Sequence, residues 1–274
     1  MAGVNVQGSP QATRREALGR VSVDSTRLPW VVTASVLVTV AALAVAARWG
    51  DGPYVAVVAV LGLLLAWCWP LLLDAPNPVG ASVVLMVSSA ALATAALVSP
   101  AGESLRWLPF AVCVGMMAAF LQQVPRGTIR PRLVDGLAIT MTGIAAVASG
   151  MAMSPLAGSA RGSAFVGVGL AGVAAGAVAE LLGRLRRVGA LAVFPVMIAG
   201  AVVGIWVATT SGFTMSAGLG LGMLTASFSY SVRRIFGAVS GAGEVGGQLA
   251  LAVGSVLLPG VLVLALGSLA GLLA

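Results

Sequence analysis

The chain has 274 residues, of which 59% are hydrophobic and only 8% charged, with a formal net charge of +7. About a quarter of an ordinary soluble domain is charged, and charges this sparse could not cover the surface of a soluble core. The composition excludes a water-soluble globular domain, and recurrent apolar runs of about 20 residues mark transmembrane helices.

All fifteen basic residues are arginine, and neither lysine nor histidine occurs. With the excess of Ala, Val and Gly, this usage points to a GC-rich bacterial genome and so to a bacterial cytoplasmic membrane. The positive balance is read as loop retention in the cytoplasm and attraction to anionic lipid headgroups, not as nucleic-acid binding. Cys68 and Cys113 both fall in apolar runs without CxxC spacing, and are read as small buried hydrophobes.

Residues 1–28 carry Arg14, Arg15, Arg20 and Arg27 among Gly, Ser and Pro. The run that follows is too long for a cleaved signal peptide, so a largely disordered cytoplasmic tail is expected. Residues 29–274 form the expected transmembrane domain. Its first span covers about 30–47, and Arg48 to Pro53 form a tight turn into a second at about 54–73, with Trp67 and Trp69 placed for an aromatic belt. Asp74-Ala75-Pro76-Asn77-Pro78 breaks the helix. A third span at about 79–98 and a fourth at about 108–124 lead to the densest polar segment within the apolar region. That segment runs from Gln122 to Asp135 and holds Arg126, Arg130 and Arg132.

The fifth span is expected at about 134–153, the sixth at about 164–182, and the seventh at about 189–209 with a kink at Pro195. After a short turn the eighth ends near residue 232, where Arg233 and Arg234 open a Gly-rich loop of about a dozen residues, and the ninth covers about 249–273. With the N-terminus inside, twelve arginines fall on the cytoplasmic side and three, Arg48, Arg106 and Arg161, on the other. This asymmetry fits the positive-inside rule. The expected fold is an all-α polytopic bundle of about nine spans, with no internal repeat of the kind that marks inverted-repeat transporters.

Polar residues inside the spans are the candidate sites. Glu180 lies on one face of the sixth span with Gly169, Gly172 and Gly176. An intramembrane acid is a functional candidate by default, but Arg184 at i+4 offers a snorkelling partner. Asp135 opens the fifth span, where the helix dipole favours an acid; Thr142 and Ser149 could extend it into a polar face. The Gly172/Gly176 pair and Gly218, Gly220 and Gly222 suit close helix packing. Residues 227–234 set four hydroxyls beside Arg233 and Arg234, a combination able to hold a phosphate or lipid headgroup. Arg126, Arg130 and Arg132 are read in the same way, as contacts for headgroups or for an acidic membrane-protein partner. Gly241 to Gly246 match GxGxxG, but outside a strand–helix unit the motif is read as a flexible loop.

Without histidine or lysine there is no His-activated nucleophile and no Schiff base. No DxxD or DxxxD pair is present to hold Mg²⁺, so neither a cofactor nor catalysis is expected. The segment Arg130-Pro131-Arg132-Leu133-Val134-Asp135, with Thr140-Met141-Thr142-Gly143, Trp69-Pro70 and Pro76-Asn77-Pro78, resembles a group of multi-span membrane proteins of high-GC actinobacteria that has no established activity. In layout alone, Arg233-Arg234 and Gly246-Gly247 stand where phosphatidate cytidylyltransferases have a Lys-Arg pair and a His-Gly-Gly. Their Lys-Asp, His and metal-binding acids are missing here, so that resemblance implies a lipid-processing enzyme only in degenerate form. The favoured expectation is a permease-like carrier or a non-catalytic membrane partner of envelope machinery.

Topology reporters fused along the chain are expected to place residues 1–28 and 125–132 in the cytoplasm and residue 274 outside. A cytoplasmic C-terminus would break the nine-span expectation.

Overall fold

The computed structural model describes residues 28–99, 105–124, 133–185 and 192–272, and every regular element among them is helical. In chain order these are α1 (Leu28–Trp49), α2 (Asp51–Leu72), α3 (Pro78–Val98), α4 (Leu108–Leu121), α5 (Leu133–Met151) and α6 (Ser154–Ala157). There follow α7 (Ala160–Leu185), α8 (Val193–Thr210), α9 (Met215–Phe236), a 3₁₀ turn at Ser240–Gly243, α10 (Val245–Leu257) and α11 (Gly260–Leu269). The basic tail and the segment with Arg126, Arg130 and Arg132 lie outside the described residues.

Each of the nine expected segments is helical. Seven stretches are long and apolar enough to cross a membrane: α1, α2, α3, α5 with α6, α7, α8, and α10 with α11. The other two differ for separate reasons. Helix α4 is apolar but has only 14 residues, about 21 Å at 1.5 Å per residue. Helix α9 has 22 residues, but glycine, serine and threonine interrupt its apolar run.

The helix boundaries follow local chemistry. Gly50 alone separates α1 from α2 at φ 117°, a left-handed conformation open to glycine and strained for other residues. Asn77 caps α3 by accepting the Gly80 N–H at 3.2 Å, with Pro78 in the first turn where a missing N–H does no harm. Pro195 falls in the first turn of α8 for the same reason, so the expected kink is absent. The last span, expected to be continuous, is broken instead. Leu258 and Pro259 separate α10 from α11, because proline cannot donate to the ladder.

Ser149 of α5 compensates that break. Its hydroxyl donates to the Leu258 carbonyl at 2.7 Å and accepts the Val261 N–H at 2.9 Å. In a lipid-bounded protein the freed backbone groups of a broken helix need such internal partners.

Helices α2 to α5 pack as one group and α7 to α9 as another, with α1 and α10 between them. Two buried side chains of α2 fasten it to α5: the Tyr54 hydroxyl donates to Gly150 O at 3.2 Å, and Trp69 Nε1 to Ile139 O at 3.1 Å. Trp69 is therefore a core residue, while Trp67 faces outward as a belt residue would; two helical positions differ by 200°. The second group closes on glycine. A Cβ at Gly172 would lie 2.7 Å from both Gly222 O and Thr225 Oγ1, and one at Gly176 would lie 3.0 Å from the Ala226 Cβ. Gly200 and Gly204 of α8 meet Gly218 and Gly222 of α9 backbone to backbone. Gly220, expected to share that role, faces open space.

Replacing Gly172 or Gly176 by Leu is expected to lower stability in detergent by about 1–3 kcal/mol each through overpacking. Gly220→Ala, in open space, should leave it unchanged or slightly raised. Unchanged melting of both Leu variants would contradict the packing.

Candidate functional site

Helix α9 has two inward faces. Gly218, Gly222 and Ala226 turn to α8, while Thr225, Ser229 and Arg233 recur at i, i+4 and i+8 as a buried polar stripe. The helix continues to Phe236, so Arg233 and Arg234 end a helix; they do not open a loop. One residue is a 100° turn, and the two arginines separate accordingly: Arg233 is 3% exposed and Arg234 is exposed.

The Arg233 side chain points back along α9, the usual direction in a helix, and so into the bundle. Its Nε donates to Glu180 Oε2 of α7 at 2.8 Å. Its Nη1 donates to Ser229 Oγ at 2.6 Å and, at 3.4 Å, to Ser255 Oγ of α10. Ser255 donates its own proton to Ala252 O at 2.9 Å, which leaves its oxygen free to accept. The remaining nitrogen, Nη2, is buried with no hydrogen-bond partner among the described residues. Three helices thus meet at one guanidinium, and one prong of its fork is unused.

Glu180 is 7% exposed and holds Arg233 across the helix interface, because the glycine contacts bring α9 within reach of α7. Its expected pairing with Arg184 falls outside the described residues, as does the Arg184 side chain. Asp135 sits exposed in the first turn of α5, the position the helix dipole favours. Thr142 and Ser149 follow it at i+7 and i+14, about 20° apart per step on the same side of α5, but each hydroxyl is already engaged. Thr142 bonds its own helix at Ala138 O, and Ser149 serves the α10–α11 break.

Two other serines of the α9 run are also engaged. Ser227 donates to Met223 O and Ser231 to Ser227 O, both along the helix. The GxGxxG stretch is not a flexible loop: it forms the 3₁₀ turn and the start of α10. Gly241 packs there on the Leu71 and Leu72 carbonyls. Cys68 is buried as expected; Cys113 is exposed, and both are free thiols. Among the described residues no three His, Cys, Asp or Glu side chains gather to hold a metal ion.

Sequence reasoning names Glu180, Ser229 and Arg233 separately but misses Ser255. Nothing in the order of residues marks that serine, since the α10 face toward Arg233 is set by packing. No family model, curated protein or solved structure matches the chain. The class rests on its own architecture, an all-helical chain with multiple apolar helices able to cross a membrane.

Breaking a buried ion pair on one side strands the other charge, at about 3–5 kcal/mol. Arg233→Met is expected to lose about that much, and Glu180→Gln added to it should restore part. Arg234→Ala, on an exposed side chain, is expected to stay within about 0.5 kcal/mol. A strictly additive double-mutant cycle in detergent unfolding would contradict the coupling.

Proposed function

We propose that this protein is a nine-span, permease-like carrier of the bacterial cytoplasmic membrane, with its N-terminus inside and no enzymatic activity. The observation that carries the reading is the Arg233 guanidinium sunk between α7, α9 and α10 with Nη2 unpartnered. Ionisable groups buried in a membrane bundle mark substrate or ion pathways by default. A purely structural anchor gains nothing from an unsatisfied donor.

The placement of helix ends supports the nine-span topology. Gly241 after α9 packs on the end of α2, and a Cβ at Gly80 in α3 would touch Gln122 after α4. At the opposite ends, Arg161 before the body of α7 lies 5.8 Å from the Phe213 ring between α8 and α9. With α4 and α9 also crossing, each of these contacts joins ends that share a side. The arginine asymmetry supports the inside N-terminus; with Arg233 committed to Glu180 it stands at eleven against three. The same asymmetry, and the likeness to the actinobacterial group, support the bacterial cytoplasmic membrane.

Reconstitution into proteoliposomes tests this. Concentration jumps of small anions, amino acids and inorganic cations are expected to give a saturable current with at least one class. The current should fall by about tenfold or more, the effect of 1.4 kcal/mol, in the Arg233→Gln/Glu180→Gln double variant. A flat response to every class, together with an envelope protein that co-purifies from native membranes, would replace the carrier by a non-catalytic partner.

A further inference from the structure

Resting on the carrier reading, we infer that Arg233 is an oxyanion site that Glu180 occupies as an internal placeholder: a small carboxylate or phosphate group displaces the Glu180 carboxylate from it. The geometry of the fork is the starting point. An arginine grips a carboxylate best through two parallel N–H groups, and Nε with Nη2 form the edge suited to it. Here only Nε reaches Glu180, and Nη2 on that edge is unfilled. The pair is held by half of the available grip, and the empty prong is the docking point for a second oxygen.

Charge decides whether the docked anion adds to Glu180 or replaces it. Two anions crowded onto one buried guanidinium repel each other, and a low-dielectric setting strengthens that repulsion. Exchange avoids this, because Arg233 keeps one anionic partner throughout. Glu180 can leave because it lies near the C-terminal end of α7, which runs to Leu185. From there a long side chain can turn its head toward the interface. The displaced carboxylate then regains water while the ligand takes both prongs. Ser229 and Ser255 remain on Nη1 and hold the guanidinium plane in place. The chemistry selects for a planar or tetrahedral oxyanion and against cations, since the guanidinium edge presents only donors.

The test uses the full-length protein in nanodiscs of zwitterionic lipid, titrated with acetate or inorganic phosphate, and separately in discs containing phosphatidylglycerol. Binding is read by thermal stability and by the side-chain ¹⁵N resonances of labelled arginine. Wild type should show a saturable shift, and Glu180→Gln, which removes the charged competitor, should bind at least about tenfold tighter. Should that variant fail to fold, Glu180→Asp, whose shorter side chain weakens the internal pair, should bind more tightly than wild type. The Arg233→Gln/Glu180→Gln double variant should bind nothing.

A response to acetate or phosphate assigns a soluble ligand, and a response to phosphatidylglycerol alone assigns a lipid headgroup; both support the site. No response to any probe in wild type and the Glu180 variants would overturn it, as would equal affinity of wild type and Glu180→Gln. Binding without current would keep the site and retire the carrier, and current without binding would do the reverse.

Discussion

The close approach of α7, α8 and α9 is the constraint on which the rest depends. Lipid offers no hydrophobic drive for helices to associate, so they gain most where backbones touch. Gly172 and Gly176 on α7, Gly200 and Gly204 on α8, and Gly218 and Gly222 on α9 remove the side chains that would hold them apart. That contact brings residue 233 within hydrogen-bond distance of residue 180. A bulkier residue at Gly172 would push α9 away and leave two opposite charges buried without each other. The ion pair is a consequence of the glycines, and its strength depends on theirs.

The second theme is how backbone and side-chain polar groups are satisfied away from water. Tyr54 and Trp69 each find a carbonyl on α5, and Ser149 supplies both a donor and an acceptor at the α10–α11 break. Threonine and serine along α9 bond back to their own helix or, in the case of Thr225, also to Gly169 O. Among the described residues four buried side-chain atoms have no hydrogen-bond partner, Ser89 Oγ, Gln122 Oε1, Gln248 Oε1 and Arg233 Nη2, and of these only Nη2 belongs to a charged group. An unmet donor there costs about 1–3 kcal/mol or more for a charged group. Retaining it at the meeting point of three helices is what separates this position from the structural polar contacts around it.

Much of the architecture is legible in the sequence. Apolar runs are nearly sufficient to locate helices in a membrane chain, because an unpaired backbone cannot face lipid. All nine expected segments are helical, and the turns at Gly50 and at Asp74 to Asn77 arise from glycine and proline chemistry that acts within a few residues. The importance of Glu180 is legible as well, since an acid in an apolar run is rare wherever it occurs. The break at Pro259 in the last span is the exception: its signal is present in the sequence but outweighed by the apolar residues on both sides.

Partners across space are the part that order alone does not supply. Arg184 is the natural partner for Glu180 in the sequence because i+4 geometry is local, whereas Arg233 lies 53 residues further on. The two adjacent arginines look alike in sequence, yet a 100° rotation buries one and exposes the other. Ser255 carries no mark at all until α10 packs beside α9. Sequence by itself determined the helical membrane class, the approximate place of each helical segment and the rarity of the buried acid, all consequences of local composition and backbone hydrogen bonding. Only the tertiary structure decided which charges meet and which donor goes unpaired, because these depend on helix rotation and on the distance that facing glycines allow.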